Sequence, residues 1–159
     1  MITFRELLRE YATQSRTRMD QGIAFERLVK AFLQTDPYYR TVFRQVWRWT
    51  EWPGRNTQPD LGIDLVAEQA DTGDLWAIQC KFYAEDHAVD KHDIDSFLAE
   101  SGKRPFTQRL IVVTSRLALN AERTIENQTI PVHTLTPEDF ERSRINWTQF
   151  SWHRPDTLT

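Results

Sequence analysis

The sequence is short of several things, and each shortage excludes a class. Cys80 is its single cysteine among 159 residues. One thiol forms neither an internal disulfide nor a cysteine-based zinc site. No stretch approaches the roughly 18 consecutive apolar residues that a membrane-spanning helix needs, and the first residues, interrupted by Thr3, Arg5 and Glu6, do not form a signal-like apolar run. Only five glycines occur, none in a phosphate-cradling pattern, which argues against ATP hydrolysis by this chain. Positive charge is also short: the formal net charge is −3. A protein that coats nucleic acid by charge alone is therefore disfavoured. These absences fit a cytoplasmic protein with no membrane partner.

What remains is ordinary globular material: 40% hydrophobic, 27% charged, with nine Phe, six Trp and four Tyr to fill a core. The length suggests one domain over residues 1–159, either complete or the N-terminal part of a larger protein. The charge is uneven. Basic residues are in excess over residues 1–60, and Arg44, Arg48 and Arg55, with Arg40, cluster there as candidates for meeting nucleic-acid phosphates.

Periodicity then orders the elements. Phe4–Thr13 reads as a short helix. A second begins at Asp20 as N-cap and carries Phe25, Leu28, Val29, Phe32 and Leu33 at helical spacing until Asp36-Pro37 stops it. Val42–Trp49 reads as a strand and 52–59 as a loop. Leu61–Ala67 and Leu75–Tyr83 flank Asp71-Thr72-Gly73-Asp74, which predicts a hairpin. A helix over Lys91–Ser101, a doubly buried strand over Arg109–Thr114, a helix over Leu119–Gln128, a strand over Ile130–Leu135 and a helix opened by Thr136-Pro137 follow. The expected fold class is α/β: a central mixed sheet, a hairpin first and crossover strands later, flanked by helices.

The chemistry concentrates in Pro59-Asp60-Leu61-Gly62-Ile63-Asp64 and Ala77-Ile78-Gln79-Cys80-Lys81. Side chains alternate along a strand, so Trp76, Ile78, Cys80 and Phe82 share one face and Leu75, Ala77, Gln79 and Lys81 the other. Two long polar side chains near the middle of an apolar strand look like the wall of a site. If the turn centres between Asp71 and Thr72, Asp64 faces Gln79; if one residue later, it faces Lys81. In either register Asp64 is within side-chain reach of both, while Ile63 and Leu65 are free to pack inward. A carboxylate and an amide oxygen suit a hard cation, and a lysine beside them suits orientation or deprotonation of an attacking water. Glu26, beside the second helix's apolar stripe, is a candidate second carboxylate, and Asp60 a candidate metal ligand. Cys80 should face away as a core residue, and the four histidines lack metal-ligand company.

The helix Glu26, Gly62-Ile63-Asp64 and Gln79-Cys80-Lys81 together resemble the Mrr-like branch of the PD-(D/E)XK nucleases. From Gly22-Ile23-Ala24-Phe25-Glu26 to Ile145-Asn146-Trp147 the chain is similar to the N-terminal nuclease domain of helicase-containing restriction enzymes, including the type ISP kind. The resemblance implies a restriction-endonuclease-like sandwich and Mg²⁺-dependent DNA cleavage, with Mn²⁺ as a substitute, in restriction or phage defence. It implies Asp64 and Gln79 as metal ligands, Lys81 as the catalytic lysine and Glu26 as an accessory acid. Its partners would be DNA, a helicase or translocase domain or subunit, and a second copy for double-strand cutting. Gln79 stands where the wider superfamily has Asp or Glu. A nuclease fold that binds DNA or a protein without cutting is the alternative, and an RNA-cutting enzyme on the same fold a third.

Overall fold

The computed structural model describes residues 1–14, 17–56, 58–59, 62–155 and 158. Two helices open the chain, α1 (Phe4–Gln14) and α2 (Arg18–Thr35), then a single turn, α3 (Tyr39–Val42), leads into strand β1 (Phe43–Arg48). The hairpin is β2 (Leu65–Gln69) and β3 (Leu75–Lys81). Next come β4 (Ala88–Val89), α4 (Lys91–Ser101), β5 (Phe106–Val113), β6 (Arg116–Leu117), α5 (Leu119–Glu126), β7 (Val132–Leu135) and α6 (Pro137–Arg142).

Among the described residues, five strands form one sheet in the order β1-β2-β3-β5-β7. The β1–β2 and β2–β3 pairs are antiparallel, and β3–β5 and β5–β7 are parallel. This is the expected mixed sheet. The middle strand, however, is β3, not the apolar run of β5. Both are covered on two sides: Trp76, Ile78, Leu110 and Val112 enter one core, and Ala77, Ile111 and Val113 enter the other. The first core is filled from α1, α2 and α6, and the second from α4, Ala121 of α5 and the Trp49–Trp52 corner. The aromatic tail belongs to the first core. Phe4 stacks on Phe140 at 4.3 Å and meets Trp147 at 4.9 Å.

Local chemistry moved several boundaries. The cap of α2 is Thr17: its backbone is extended and its hydroxyl accepts the Asp20 N–H at 3.0 Å, which leaves Asp20 inside the first turn. The apolar stripe of α2 is buried as its spacing predicts, and the helix ends at Thr35. Strand β2 begins at Leu65 rather than Leu61, because Gly62 takes φ +101°, a left-handed conformation that breaks the strand. The hairpin turn closes with Gln69 N–H on the Asp74 carbonyl at 2.8 Å and Gly73 at φ +76°.

Candidate active site

The hairpin register pairs Leu65 with Ile78 and Val66 with Ala77, and one further step sets Asp64 across from Gln79. This is the first of the two registers the turn allowed. The Asp64 N–H donates to the Ile78 carbonyl at 2.9 Å, and its carboxylate accepts the Cys80 N–H at 2.7 Å. Asp64 therefore grips β3 on both sides of Gln79. Its carboxylate takes a strand N–H that a neighbouring main-chain carbonyl would ordinarily take, so the β2–β3 ladder gives way at the point where the site begins.

Gln79 is 4% exposed, deep in the sheet on the Ala77 face. Its amide nitrogen donates to the Gly62 carbonyl at 3.4 Å, a long bond, and its Oε1 is buried with no hydrogen-bond partner among the described residues. A buried, unsatisfied acceptor costs roughly 1–3 kcal/mol, so this oxygen is held for something. Lys81, two residues on along the same face, is half-buried, and its ammonium makes no ion pair with any described residue.

Ile63 departs from the expected packing. It joins the second core while Leu65 joins the first, so the two do not pack inward together. The cause is again Gly62, whose positive φ turns the chain before the strand starts. Gly62 also delivers the carbonyl that receives Gln79. A Cβ at Gly62 would find ordinary contact distances of 3.7–3.8 Å to Phe97 and Ser96, so backbone conformation, not space, demands glycine here. Gly62→Ala is expected to cost about 1–2 kcal/mol and to disturb the approach of Asp64 to β3; urea denaturation beside the wild type measures it, and an unchanged midpoint would refute the strain argument.

Glu26 lies on α2. Its carboxylate pairs with the Arg48 guanidinium at 3.5 Å. Burial first, then the charges of Asp64 and Glu26, push the Cys80 thiol well above its ordinary range. Cys80 faces the first core, away from Gln79, as alternation predicted. Of the other arginines, Arg44 is tied to Glu68 at 3.1 Å and to the Ala70 carbonyl at 2.7 Å, and Arg55 donates to the Gln58 carbonyl at 3.3 Å. Asp60 lies outside the described residues.

Sequence reasoning missed the corner that braces the site. The Trp49 N–H donates to the Asp64 carbonyl at 2.9 Å, and its indole N–H donates to the Gln58 carbonyl at 3.0 Å. Lys30 pairs with Glu51 at 3.0 Å, so α2 meets the end of β1 through two ion pairs, Glu26–Arg48 and Lys30–Glu51. The signal was present as opposite charge order: acid then base four apart on α2, base then acid three apart after β1. His87 pairs with Asp93 at 3.1 Å and His133 stacks on Trp76, and both lie away from the Asp64 hairpin mouth. A cleft of about 710 Å³ lined by Tyr38, Trp76 and His133 opens near the start of β3 and contains none of the site residues.

The donors around Asp64 are oxygens: one carboxylate and one orphaned amide oxygen, with a second carboxylate behind. Among the described residues, no group of three or more His, Cys, Asp or Glu gathers to enclose a metal. Such a set is poor for a soft or tightly caged ion and fits a hard divalent cation, which is held by few protein oxygens and keeps several waters.

Residues 34–157 match a family model, Mrr_cat_2, described as a restriction endonuclease. No curated protein sequence matches the chain. Among solved structures, the chain is similar to the ATP-dependent type ISP restriction-modification enzyme LlaBIII bound to DNA, with a TM-score of 0.81 and 34% identity over 100% of this chain. It spans only 10% of LlaBIII's own length. It also shares its fold with the MspJI restriction endonuclease in complex with a 27-mer oligonucleotide, with a TM-score of 0.57 and 18% identity, covering 85% of this chain and 28% of that one. A third similar structure is AF1548, a protein of unknown function, with a TM-score of 0.50 and 19% identity, covering 70% and 58%.

Proposed function

The chain belongs to the Mrr_cat_2 restriction-endonuclease family, and from that premise we propose that it is a divalent-metal-dependent DNA endonuclease whose working groups are Asp64, Gln79 and Lys81. The observation that carries the reading is the placement of Asp64 opposite Gln79 of β3, whose buried Oε1 has no partner among the described residues, with Lys81, in no ion pair with any described residue, two positions further along β3.

Asp64 and Gln79 would hold the cation, Mg²⁺ with Mn²⁺ as a substitute, and Asp60 could add a third oxygen. When bound, the ion supplies Lewis-acid polarisation of a phosphoryl oxygen and lowers the pKa of a water. Lys81 orients that water and steadies the negative charge that grows on the phosphate oxygens. The water oxygen would bond to phosphorus as one P–O ester bond breaks, the water's proton would pass to solvent, and the leaving alkoxide would collect a proton from solvent or from the Lys81 ammonium. Glu26 serves as an accessory acid. Arg44, Arg48 and Arg55 lie along β1 and the turn after it as candidates for the DNA backbone. The length and charge pattern suit one nuclease domain over residues 1–159. A helicase or translocase domain or subunit would bring the DNA, two copies would cut both strands, and the setting would be restriction or phage defence in the cytoplasm.

Purified protein with supercoiled plasmid and Mg²⁺ should give nicked or linear product, and EDTA should abolish it. Plasmid left intact with both Mg²⁺ and Mn²⁺, across methylated and unmethylated DNA, would defeat the reading. The neutral Gln79 favours one rival, a fold that binds DNA without cutting. Retained DNA binding with no Mn²⁺ uptake is its signature.

A further inference from the structure

The two ion pairs between α2 and the end of β1 are not equivalent. Lys30–Glu51 is short, 3.0 Å, and Glu51 also accepts the Arg48 main-chain N–H at 3.0 Å. That N–H is the chief reason the Glu51 carboxyl lies below its usual range, ahead of burial, which opposes it, and of Lys30. Glu51 is thus firmly ionised and doubly held, and this pair fastens the helix to the sheet. Glu26–Arg48 is long, 3.5 Å, where a tight charge-assisted bond runs at about 2.7–2.9 Å. It is also the more enclosed of the two, with side chains 18% and 25% exposed. Furthermore, the Arg48 Nε is buried with no hydrogen-bond partner among the described residues. Arg48 is therefore a loosely paired cation, and it stands close to Asp64: its register partner on β2 is Leu65, and the next residue, Trp49, donates its main-chain N–H to the Asp64 carbonyl at 2.9 Å.

We propose that Arg48 is a positioning residue for the cation site: by its loose pair with Glu26 it fixes that carboxylate beside Asp64 and competes with the divalent ion for it. The proposal rests on the reading of Asp64 and Gln79 as the cation's ligands. With only one charge between those two ligands, the site's attraction for a dication depends on Glu26, and Arg48 offsets Glu26. Arg48 would thus lower the site's affinity for the ion. With Glu26 serving the ion, the Arg48 guanidinium would be free to turn toward solvent or phosphate. A surface phosphate contact would not require the enclosed pairing. A purely structural bridge would not need to be the looser of two neighbouring pairs.

Calorimetric titration with Mn²⁺ tests this on the full chain, without DNA and without reference to cleavage. Arg48→Met keeps the length and apolar stem but removes the charge. It should bind Mn²⁺ roughly 5- to 10-fold more tightly than wild type, the size expected for deleting one charge a few ångströms away in a partly screened site. Arg48→Lys should stay within about 2-fold of wild type, because the charge persists. Glu26→Gln should weaken binding, and in that background Arg48→Met should change little, since Arg48 acts through Glu26. Should Arg48→Met not fold, a large shift in Arg48→Lys, or a Glu26→Gln variant as tight as wild type, would overturn the proposal by itself. Equal or weaker Mn²⁺ binding by Arg48→Met also overturns it, as does a gain that survives undiminished in the E26Q background. Loss of DNA affinity with unchanged Mn²⁺ affinity would place Arg48 on phosphate instead. Absence of Mn²⁺ binding by the wild type would defeat the cation site itself, a result distinct from a site that binds the ion without regard to Arg48.

Discussion

Asp64→Asn is expected to lower DNA cleavage by roughly 10³-fold or more while the protein stays folded. The asparagine side-chain oxygen can still accept the Cys80 N–H that the carboxylate accepts at 2.7 Å, so the junction of β2 and β3 keeps its closing bond. What disappears is charge. In a site with two ligand carboxylates the loss of one leaves another, but the partner here is the neutral amide of Gln79. In the proposed ligand pair Asp64 would therefore carry the whole formal charge, and its neutralisation should hit both metal affinity and rate. Lys81→Met is expected to cost about 10²- to 10⁴-fold, in the range of a lost acid–base or charge-stabilising group, with Mn²⁺ affinity largely kept because the lysine is not a ligand. Initial rates of plasmid nicking, with urea midpoints to show that both variants fold, decide the matter. Wild-type rates in Asp64→Asn would remove the mechanism.

The neutral Gln79 also explains why the site can sit so deep. A glutamate at 4% exposure on the middle strand would bring a second buried carboxylate close to Asp64, and both desolvation and like-charge repulsion oppose that. The amide carries the smaller cost of one unsatisfied oxygen. Weaker attraction for the cation is the consequence, and it makes any neighbouring acid, Glu26 above all, count for more.

Much of this arrangement was legible because period-two alternation survives tertiary packing. Ala77, Gln79 and Lys81 stand on one face and Cys80 on the other, as a strand dictates. The register stayed open until the turn was seen, because Asp71-Thr72-Gly73-Asp74 supports two centres, and the closing bond between Gln69 and Asp74 selects one. Ile63 was misplaced since nothing local signals that Gly62 adopts φ +101° and rotates the chain before β2. Thr17 and Asp20 are both good N-caps by composition, and which one caps depends on where the backbone turns extended. The Glu26–Arg48 pair joins residues 22 positions apart. No propensity encodes such a contact, although the reversed charge order of Glu26/Lys30 and Arg48/Glu51 hints at it. Asp60 lies outside the described residues, so its part in the site rests on its position before Gly62.

Arg109, the one charged residue of β5, is among the largest fully buried side chains of the described residues, 1% exposed. Among the described residues no carboxylate pairs with it. Its guanidinium instead donates to the Leu98 carbonyl at 3.0 Å, to Ser101 Oγ at 3.4 Å, to Gln128 Oε1 at 2.9 Å and to the Ile130 carbonyl at 2.9 Å. Leu98 and Ser101 lie in the last turn of α4, where the helix dipole is negative, so the carbonyl end of the helix stands in for a counter-ion. Burial alone pulls the guanidinium below its ordinary value, yet the group stays charged at neutral pH. Arg109 thereby ties the end of α4 and the segment after α5 to β5. Two effects oppose each other in Arg109→Met. The buried charge is relieved of its desolvation cost, while four acceptors lose a charge-assisted donor. Leu98 O keeps the Gly102 N–H at 3.1 Å, and Gln128 and Ile130 are near enough to solvent to recruit water, so not all four are orphaned. The bonds should still win, because they tie the end of α4 and the segment after α5 to β5 at one point, and the net loss should be about 2–4 kcal/mol. Arg109→Lys should recover only part of it, since one ammonium cannot reach both α4 and the segment before β7. Urea denaturation measures both. A midpoint for Arg109→Met equal to that of the wild type would mean that desolvation cancels the four bonds and that α4 is held by its apolar face alone.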